Sequence, residues 1–221
     1  MTTFRIGVDE AGKGPVLGPM IAAAVRADAD DLPDGIADSK RLSAVKRESL
    51  AETLRATAGV DVGVGVVTVE EIDAPETDMN RLTVAAQVRA ITAVADDGDR
   101  AIVDAGDVSE SRFGRRVREG VASGGVDITV TAEHGADDSY RLAAAASVVA
   151  KVERDSRMAA VATDYSEIGP VGSGYPSDPT TRAFLADFVD RHGDLPACAR
   201  RSWSTCEDVL AAAEQAALGD F

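Results

Sequence analysis

The chain has 221 residues, of which 45% are hydrophobic, and a formal net charge of −15. That length supports one well-packed domain with a small helical appendage and argues against a second full domain. The first residues are too acidic for a signal peptide, and no apolar run approaches the roughly 20 residues that cross a bilayer. We therefore expect a soluble, cytoplasmic protein that has no membrane partner. Cys198 and Cys206 match neither a zinc knuckle nor a CxxC pair, so we expect free thiols.

The negative charge is unusual for a protein that binds nucleic acid, because such proteins usually carry a basic patch that replaces phosphate counterions. The acidic residues are spread along the chain, which contains only four lysines. This pattern is typical of proteins from halophiles. In molar salt the Debye length is about 3 Å, so distant charges are screened and the net charge does not exclude a nucleic-acid substrate.

The first half of the chain alternates strand and helix signals. Residues 4–9 and 20–26 are predicted strands joined by a glycine-rich turn, and together they suggest a hairpin. A helix is predicted from Ser43 to a glycine stop at Gly59, and residues 60–69 alternate as a third strand. Asp78 is expected to cap an amphipathic helix over residues 79–95.

The second half adds two strands and then becomes helical. Residues 100–104 and 127–132 are predicted strands, and an arginine-rich helix or loop lies between them. Helices are predicted over residues 138–162 and 180–191, and a capping box from Ser204 to Glu207 starts a last helix. The sequence thus predicts an α/β fold with about five strands and a helical C-terminal region.

Acidic side chains end two of the predicted strands. Asp9 and Glu10 end the first strand, and adjacent residues of a strand point to opposite faces. Asp104 ends the fourth strand, so Asp9 and Asp104 converge if these strands are neighbours, and Asp137 lies just ahead of the long helix. Hard oxygen ligands of this kind suit Mg²⁺ or Mn²⁺, and two such ions can activate water against a phosphodiester.

A phosphate-binding loop is an alternative reading of the same segment. Residues from Gly7 to Lys13 fit the start of a Gly-x-x-x-x-Gly-Lys loop, which would indicate an NTPase. Gly14 stands where Ser or Thr would bind Mg²⁺, however, and Pro15 opposes smooth entry into a helix. The carboxylates of Asp9 and Glu10 would also face the phosphates.

Several blocks, in order along nearly the whole chain, resemble the ribonuclease HII family, in particular its archaeal branch. The first is the run DEAGKGP that begins at Asp9. The others are DSKRLS from Asp38, Val103-Asp104, EHGAD ending at Asp137, ASVVAKVERD from Ala146, GSGYPSDP from Gly172, and RSWST from Arg201.

The resemblance implies a ribonuclease H-like mixed five-stranded sheet flanked by helices, with a C-terminal helical region. The expected domains are a catalytic domain (1–163), a helical region packed on it (164–214) and a tail (215–221). The resemblance also implies that Asp9, Glu10, Asp104 and Asp137 bind two Mn²⁺ or Mg²⁺ ions and catalyse hydrolysis. The expected substrates are RNA/DNA hybrids and DNA duplexes that contain ribonucleotides, and we expect a monomer.

The resemblance also assigns substrate contacts. The turn formed by Gly12, Lys13 and Gly14 corresponds to a Gly-Arg-Gly turn that reads the ribose 2′-hydroxyl through backbone groups; here lysine replaces the arginine, so a bidentate side-chain contact is lost. Tyr175 matches a tyrosine that packs on the next sugar; the alternative is that it braces its loop. The remaining assigned phosphate contacts are Lys40, Lys151 and Arg154. His134 and Trp203 are expected to be structural.

The C-terminal residues resemble a motif that binds the replication sliding clamp. Gln215, Leu218 and Phe221 fit the pattern Gln-x-x-aliphatic-x-x-aromatic, and residues three apart lie on one face of a helical turn. An ordinary helix end is the alternative for this segment. A further alternative for the whole protein is a clamp-binding adaptor without catalytic activity, and the complete set of carboxylates argues against it.

Overall fold

The computed structural model describes residues 4–36 and 42–219. It contains a mixed five-stranded sheet with the strand order β3-β2-β1-β4-β5. The strands are β1 (Ile6–Ala11), β2 (Met20–Arg26), β3 (Asp61–Val67), β4 (Arg100–Asp104) and β5 (Thr129–Glu133). β1 pairs antiparallel with β2, which pairs antiparallel with β3. β4 is parallel to both β1 and β5. The predicted hairpin and the predicted α/β fold are confirmed.

The helices follow the predicted alternation. They are α1 (Ala44–Ala56), α2 (Val69–Ile72), α3 (Met79–Thr92), α4 (Glu110–Ser123), α5 (Ala136–Ser139), α6 (Arg141–Asp164), α7 (Pro179–His192) and α8 (Ser204–Gly219). The side chain of Ser43 caps α1 by accepting from the backbone N–H of Lys46, and Asp78 caps α3. Both caps were predicted from sequence. Within the described ranges, no helix is long and apolar enough to span a membrane.

The chain divides into two compact units. The first consists of Met1–Ala11, Met20–Val67 and Asp78–Arg154, and the second of Gly12–Pro19, Thr68–Thr77 and Asp155–Phe221. The first unit contains all five strands of the sheet, and the second contains α2, α7 and α8. The domain boundaries that were expected from sequence, at residues 163 and 214, stay a prediction.

In the first unit, glycines let helices lie directly against the sheet. A Cβ atom on Gly7 of β1 would lie 2.1 Å from the backbone carbon of Leu142 in α6. On β3, a Cβ on Gly63 would lie 2.2 Å from the carbonyl oxygen of Ala90, and one on Gly65 would lie 2.0 Å from that of Ala86. Only glycine permits such contacts between helix and strand backbones. Alanines and valines of α6 complete the core of this unit.

The second unit has its own apolar core. Val16 and Leu17 of the segment Gly12–Pro19 are fully buried in it. Leu17 also forms an isolated antiparallel bridge with Ala199. Tyr165 contacts both Phe184 and Phe188 of α7 edge to face, with ring centroids 5.6 Å apart in each pair. This packing fixes the segment Gly12–Pro19 within the second unit, even though β1 of the first unit leads directly into it.

Two local predictions were wrong. Asp138 was expected to cap the long helix, but it lies inside the short helix α5, and α6 begins only at Arg141. The break lies at Tyr140, whose extended backbone (φ −125°, ψ 120°) ends α5 before α6 begins at Arg141. Ser204 was expected to cap the last helix, but it is already the first residue of α8. A capping box occurs instead at Thr68 and Glu71 of α2.

Candidate active site

Parallel pairing brings the carboxylates of two strands to one edge of the sheet. β1 and β4 are hydrogen-bonded neighbours in parallel register, with Val8 opposite Val103. Asp9 follows Val8 and Asp104 follows Val103, so the two side chains leave adjacent strands at the same level. The convergence that the sequence predicted under the condition of neighbouring strands is therefore confirmed.

Asp9 faces α6. Gly7 and Asp9 are two residues apart on β1 and share one face of the sheet, and it is at Gly7 that α6 touches the strand. Ser147 lies one helical turn beyond Ala143, the residue in contact with Gly7, and its hydroxyl donates to the carboxylate of Asp9. Oδ1 of Asp9 also accepts the backbone N–H of Glu10 at 2.7 Å.

The pKa of Asp9 is raised to about 7, chiefly because the carboxylate is buried, with only 7% of the residue exposed. The bond from Ser147 lowers the pKa, while the negative charges of Asp104 and Asp137 raise it further. Burial also raises the pKa of Asp104, against the opposing effect of the backbone N–H of Ala136, which donates to its Oδ1 at 2.8 Å. The site thus favours a cation or protons that offset its charge.

Asp137 comes from the helix next to this cluster. It lies in the first turn of α5, and its charge raises the pKa of both Asp9 and Asp104. The same turn supplies the N–H of Ala136 that holds Asp104. α5 therefore contributes both a third carboxylate and the donor that orients the second.

Glu10 points to the opposite side of β1, as predicted for adjacent residues of a strand. Its Oε2 accepts a hydrogen bond of 2.8 Å from Nε2 of Gln87 in α3. The same Nε2 donates to the backbone oxygen of Asp104 at 3.0 Å. Gln87 is completely buried, and it was not among the residues predicted from sequence.

The chemistry of these donors fits Mg²⁺ or Mn²⁺, since all four side chains are carboxylates. Across the described residues, no group of three or more His, Cys, Asp or Glu side chains is drawn together closely enough to hold a metal ion. The negative charges of Asp104 and Asp137 raise the pKa of Asp9, and that of Asp137 raises the pKa of Asp104, which is the electrostatic situation that a divalent cation relieves.

In the second unit, the turn Gly12-Lys13-Gly14 is held through its carbonyl groups. The guanidinium of Arg200, which is completely buried, donates to the carbonyl oxygens of Gly12 (2.6 Å), Lys13 (3.0 Å) and Gly18 (2.9 Å). The indole N–H of Trp203 donates to the carbonyl oxygen of Gly14 at 3.3 Å. Since the peptide bonds are trans, the N–H groups of Lys13 and Gly14 point away from Arg200. The structural role expected for Trp203 thus includes a bond to this turn.

Tyr175 lies beside that turn in the same unit. It is 41% exposed, and a Cβ added to Gly14 would lie 3.9 Å from its ring. Its loop is organised by Asp178, whose carboxylate accepts the backbone N–H of Ser173 (2.6 Å) and the Ser173 hydroxyl (2.7 Å). These bonds lower the pKa of Asp178 to about 2.

Comparison with known proteins gives a consistent result. The family model described as ribonuclease HII matches residues 6–206. Ribonuclease HII of Haloarcula marismortui is 61% identical over 218 residues, which are 99% of this chain and 100% of that protein. The chain belongs to the ribonuclease HII family. The predicted relationship to proteins of halophilic archaea is confirmed.

Two solved structures share the fold of this chain. Ribonuclease H2 from Pyrococcus horikoshii is 35% identical with a TM-score of 0.84, and the match covers 95% of this chain and 98% of that one. Ribonuclease HII of Archaeoglobus fulgidus, solved as a complex with PCNA, is 36% identical with a TM-score of 0.80, and the match covers 92% and 95%.

The phosphate-binding loop, which was the alternative for the first glycine-rich turn, is wrong. Such a loop leads from a strand directly into a helix whose N-terminus binds phosphate. Here the segment Gly12–Pro19 leads from β1 into β2, which pairs antiparallel with β1. No helix follows the turn.

The remaining residues that were singled out from the sequence differ from one another in burial and in hydrogen bonding. Nζ of Lys151 donates to the hydroxyl of Ser147 at 2.7 Å, and Arg154 is only 7% exposed. Lys40 lies outside the described residues. Gln215 is exposed on α8, whereas the side chain of Leu218 and the whole of Phe221 lie outside the part that is described. His134 binds the backbone oxygen of Asp107 through Nε2 at 2.8 Å, in keeping with its expected structural role.

Replacement of Asp9 by Asn is expected to stabilise the metal-free protein in a pH-dependent way. The pKa of Asp9 is raised on folding, so its stabilising contribution is complete below pH about 4 and is lost as the pH rises through about 7. Asn does not ionise, so the variant does not lose this stability as the pH rises. In EDTA and molar KCl, we expect Asp9→Asn to raise Tm by roughly 5 °C at pH 8 and by clearly less at pH 5.

Asp190→Asn is the matched control, because it removes the same formal charge from an exposed position on α7. Its effect on Tm should depend little on pH. Equal Tm shifts for Asp9→Asn at the two pH values would show that burial of Asp9 does not disfavour its ionised form.

Proposed function

We propose that this protein cleaves the RNA strand of RNA/DNA hybrids and also incises DNA duplexes on the 5′ side of a single embedded ribonucleotide. The products would carry 5′-phosphate and 3′-hydroxyl ends, and the cellular roles would be ribonucleotide excision repair and removal of RNA primers. Membership of the ribonuclease HII family supports ribonuclease H activity. The structural observation that carries the proposal is the convergence of Asp9, Asp104 and Asp137 at one sheet edge.

The four carboxylates of Asp9, Glu10, Asp104 and Asp137 are the proposed ligands of two Mn²⁺ or Mg²⁺ ions. When bound, such ions supply an activated water and stabilise the leaving oxygen of the phosphodiester. The residues around the carboxylates hold them in fixed orientations. Ser147 and the N–H of Glu10 fix Asp9, and the N–H of Ala136 fixes Asp104.

Lys151 supports Asp9 indirectly. A lysine ammonium can only donate, so the hydroxyl oxygen of Ser147 accepts from Lys151 and its single proton is directed to Asp9. The Ser147 side chain lies between the ammonium group of Lys151 and the carboxylate of Asp9, so the two charges do not pair directly. We assign Lys151 this orienting role in addition to the phosphate contact expected from sequence, which stays a proposal together with the contacts of Arg154 and Lys40.

The second unit supplies the proposed contacts to the ribonucleotide. Arg200 and Trp203 occupy the carbonyl oxygens of the turn Gly12-Lys13-Gly14, and the N–H groups of Lys13 and Gly14 face the other way as donors for a ribose hydroxyl. This backbone readout does not need an arginine side chain at position 13. The exposed ring of Tyr175 beside Gly14 is the proposed platform for the following deoxyribose.

Cleavage of a DNA duplex that contains one ribonucleotide tests the proposed activity. In molar KCl with Mn²⁺ we expect a single cut on the 5′ side of the ribonucleotide, which sequencing gels and end-labelling would locate. Asp104→Asn should lower the rate at least about 1000-fold, because the neutral amide no longer binds the cation strongly. Asp190→Asn should cleave normally, and an all-DNA duplex should remain intact. Near-wild-type cleavage by Asp104→Asn would disprove the assigned site.

The role of Tyr175 is tested by the ratio of kcat/KM on a single-ribonucleotide duplex to that on a uniform RNA/DNA hybrid. Tyr175→Ala should lower this ratio about 10-fold, because only the first substrate places a deoxyribose after the ribonucleotide. Tyr175→Phe keeps the ring and should keep the ratio. If Tyr175→Ala slows both substrates equally, the residue braces its loop and the junction is read elsewhere.

The C-terminal tail is the proposed attachment point for the replication sliding clamp. Gln215 is exposed near the end of α8, and the motif Gln215, Leu218, Phe221 has the spacing of a clamp-binding box. The related ribonuclease HII of Archaeoglobus fulgidus forms a complex with PCNA, which supports the same kind of partner here. A single aromatic residue in the motif suggests an affinity near micromolar, on the order of 8 kcal/mol.

Deletion of residues 218–221 is expected to abolish binding of the organism's clamp in calorimetry, because the apolar plug of the motif is lost. Cleavage of a short duplex should be unchanged. The double variant Leu218→Ala and Phe221→Ala keeps the chain length and should behave like the deletion. Wild-type clamp affinity in both variants would show that the tail is an ordinary helix end.

A further inference from the structure

The amide of Gln87 connects the ends of the two strands that carry the carboxylates. Gln87 lies on α3 with its side chain completely buried. Its Nε2 donates to Oε2 of Glu10 at 2.8 Å and to the backbone oxygen of Asp104 at 3.0 Å. Both amide hydrogens are therefore used at the catalytic edge of the sheet, one on a side chain of β1 and one on the backbone of β4.

Packing alone does not explain a glutamine at this position. Its Oε1 is buried and has no hydrogen-bond partner among the described residues, which destabilises the folded state. The reversed amide would be worse, because Oε1 would then face the carboxylate of Glu10. The neighbouring buried positions Ala86, Ala90 and Ile91 of α3 are apolar, so the two hydrogen bonds that Gln87 donates, and not its burial, account for a glutamine here.

The carboxylate of Glu10 is bounded on its other side by Gly106. A Cβ added to Gly106 would lie 3.4 Å from Oε1 of Glu10 and 2.7 Å from Cγ2 of Thr83. The bare backbone of Gly106 thus lies beside Oε1, while Gln87 binds Oε2. The two oxygens of Glu10 therefore have different neighbours, Gly106 at Oε1 and Gln87 at Oε2.

The position of Gln87 is itself set by backbone contacts. Added Cβ atoms on Gly65 and Gly63 of β3 would lie 2.0 Å from the carbonyl oxygen of Ala86 and 2.2 Å from that of Ala90. These residues flank Gln87 on α3, so the helix lies directly on the strand and cannot move closer. A rigid helix of this kind holds the amide at a fixed distance from Glu10.

We propose that Gln87 is a positioning residue that binds Oε2 of Glu10 and thereby makes Glu10 a ligand through Oε1 alone. The proposal rests on the proposed function, in which Glu10 binds a divalent cation. Mg²⁺ demands near-ideal octahedral geometry, so it benefits most from a carboxylate that binds through one defined oxygen. Without Gln87, the carboxylate of Glu10 can rotate and bind through both oxygens. Mn²⁺ tolerates this less regular arrangement better than Mg²⁺ does.

The test compares Gln87→Met, which has a similar volume and no donor, with the wild-type protein. Without substrate, calorimetric titration should show an affinity for Mg²⁺ about 10-fold lower and a smaller loss for Mn²⁺. In EDTA, the Tm of Gln87→Met should stay close to that of the wild type, because removal of the buried unpaired oxygen offsets part of the loss of the two hydrogen bonds to Glu10 and Asp104. The ratio of cleavage rates in Mg²⁺ and Mn²⁺ should fall accordingly.

Ile91→Val is the matched control, because it removes a buried methyl group from the same helix without touching Glu10. It should lower Tm slightly and leave the affinity for Mg²⁺ unchanged. Gln87→Leu is a second variant with the same expected result as Gln87→Met, in case the flexible methionine packs poorly.

Glu10→Gln separates the two levels of the proposal. If Glu10→Gln leaves the affinity for Mg²⁺ unchanged, Glu10 is not a ligand and the proposed metal site itself is wrong. If Glu10→Gln weakens binding but both Gln87 variants bind Mg²⁺ within twofold of the wild type, Glu10 remains a ligand and the positioning role of Gln87 is overturned.

Discussion

The contact between the backbones of α6 and β1 at Gly7 determines the surroundings of Asp9. Any side chain at position 7 would overlap the backbone of Leu142 and Ala143. With the helix this close, the next turn of α6 places Ser147 against Asp9, two residues further along the strand. The carboxylate is consequently buried, its pKa is raised to about 7, and its orientation is fixed by a hydroxyl group. The raised pKa of Asp9 and the fixed orientation of its carboxylate thus have one structural cause.

Local patterns in the sequence predicted the secondary structure around the site well. The alternation of strands and helices, the caps Ser43 and Asp78, and the position of Asp104 at the end of a strand all depend on residues close together in the chain. Asp9 was expected to end the first strand, but β1 continues to Ala11 because it pairs with β2 beyond that point. The sequence predicted that Asp9 and Asp104 converge only if β1 and β4 are neighbours, because strand order is decided by packing over the whole sheet. The break between α5 and α6 was missed because the extended backbone at Tyr140, whose ring packs on the distant Phe4, interrupts residues that favour a helix locally.

The residues that hold the site in place could not be predicted from sequence, because their partners are distant in the chain. Gln87 binds Glu10 across 77 positions, and Arg200 binds Gly12 across 188. Nothing in the local sequence distinguishes Arg200 from the exposed Arg201 that follows it. The one available signal was indirect: a lone glutamine among alanines, valines and isoleucine on α3 is a polar group that needs a partner if its face is buried.

The donors around Asp9 and Asp104 have a common property that bears on metal binding. Asp9 accepts from a hydroxyl and a backbone N–H, and Asp104 accepts from a backbone N–H. Neither forms an ion pair with lysine or arginine within the described ranges, although Lys151 is only one hydroxyl away from Asp9. A direct ion pair would offset the negative charge and compete with a cation, whereas neutral donors fix the geometry and leave the charge. The raised pKa values are the consequence, so protons and divalent cations compete for the same oxygens and metal affinity should increase with pH.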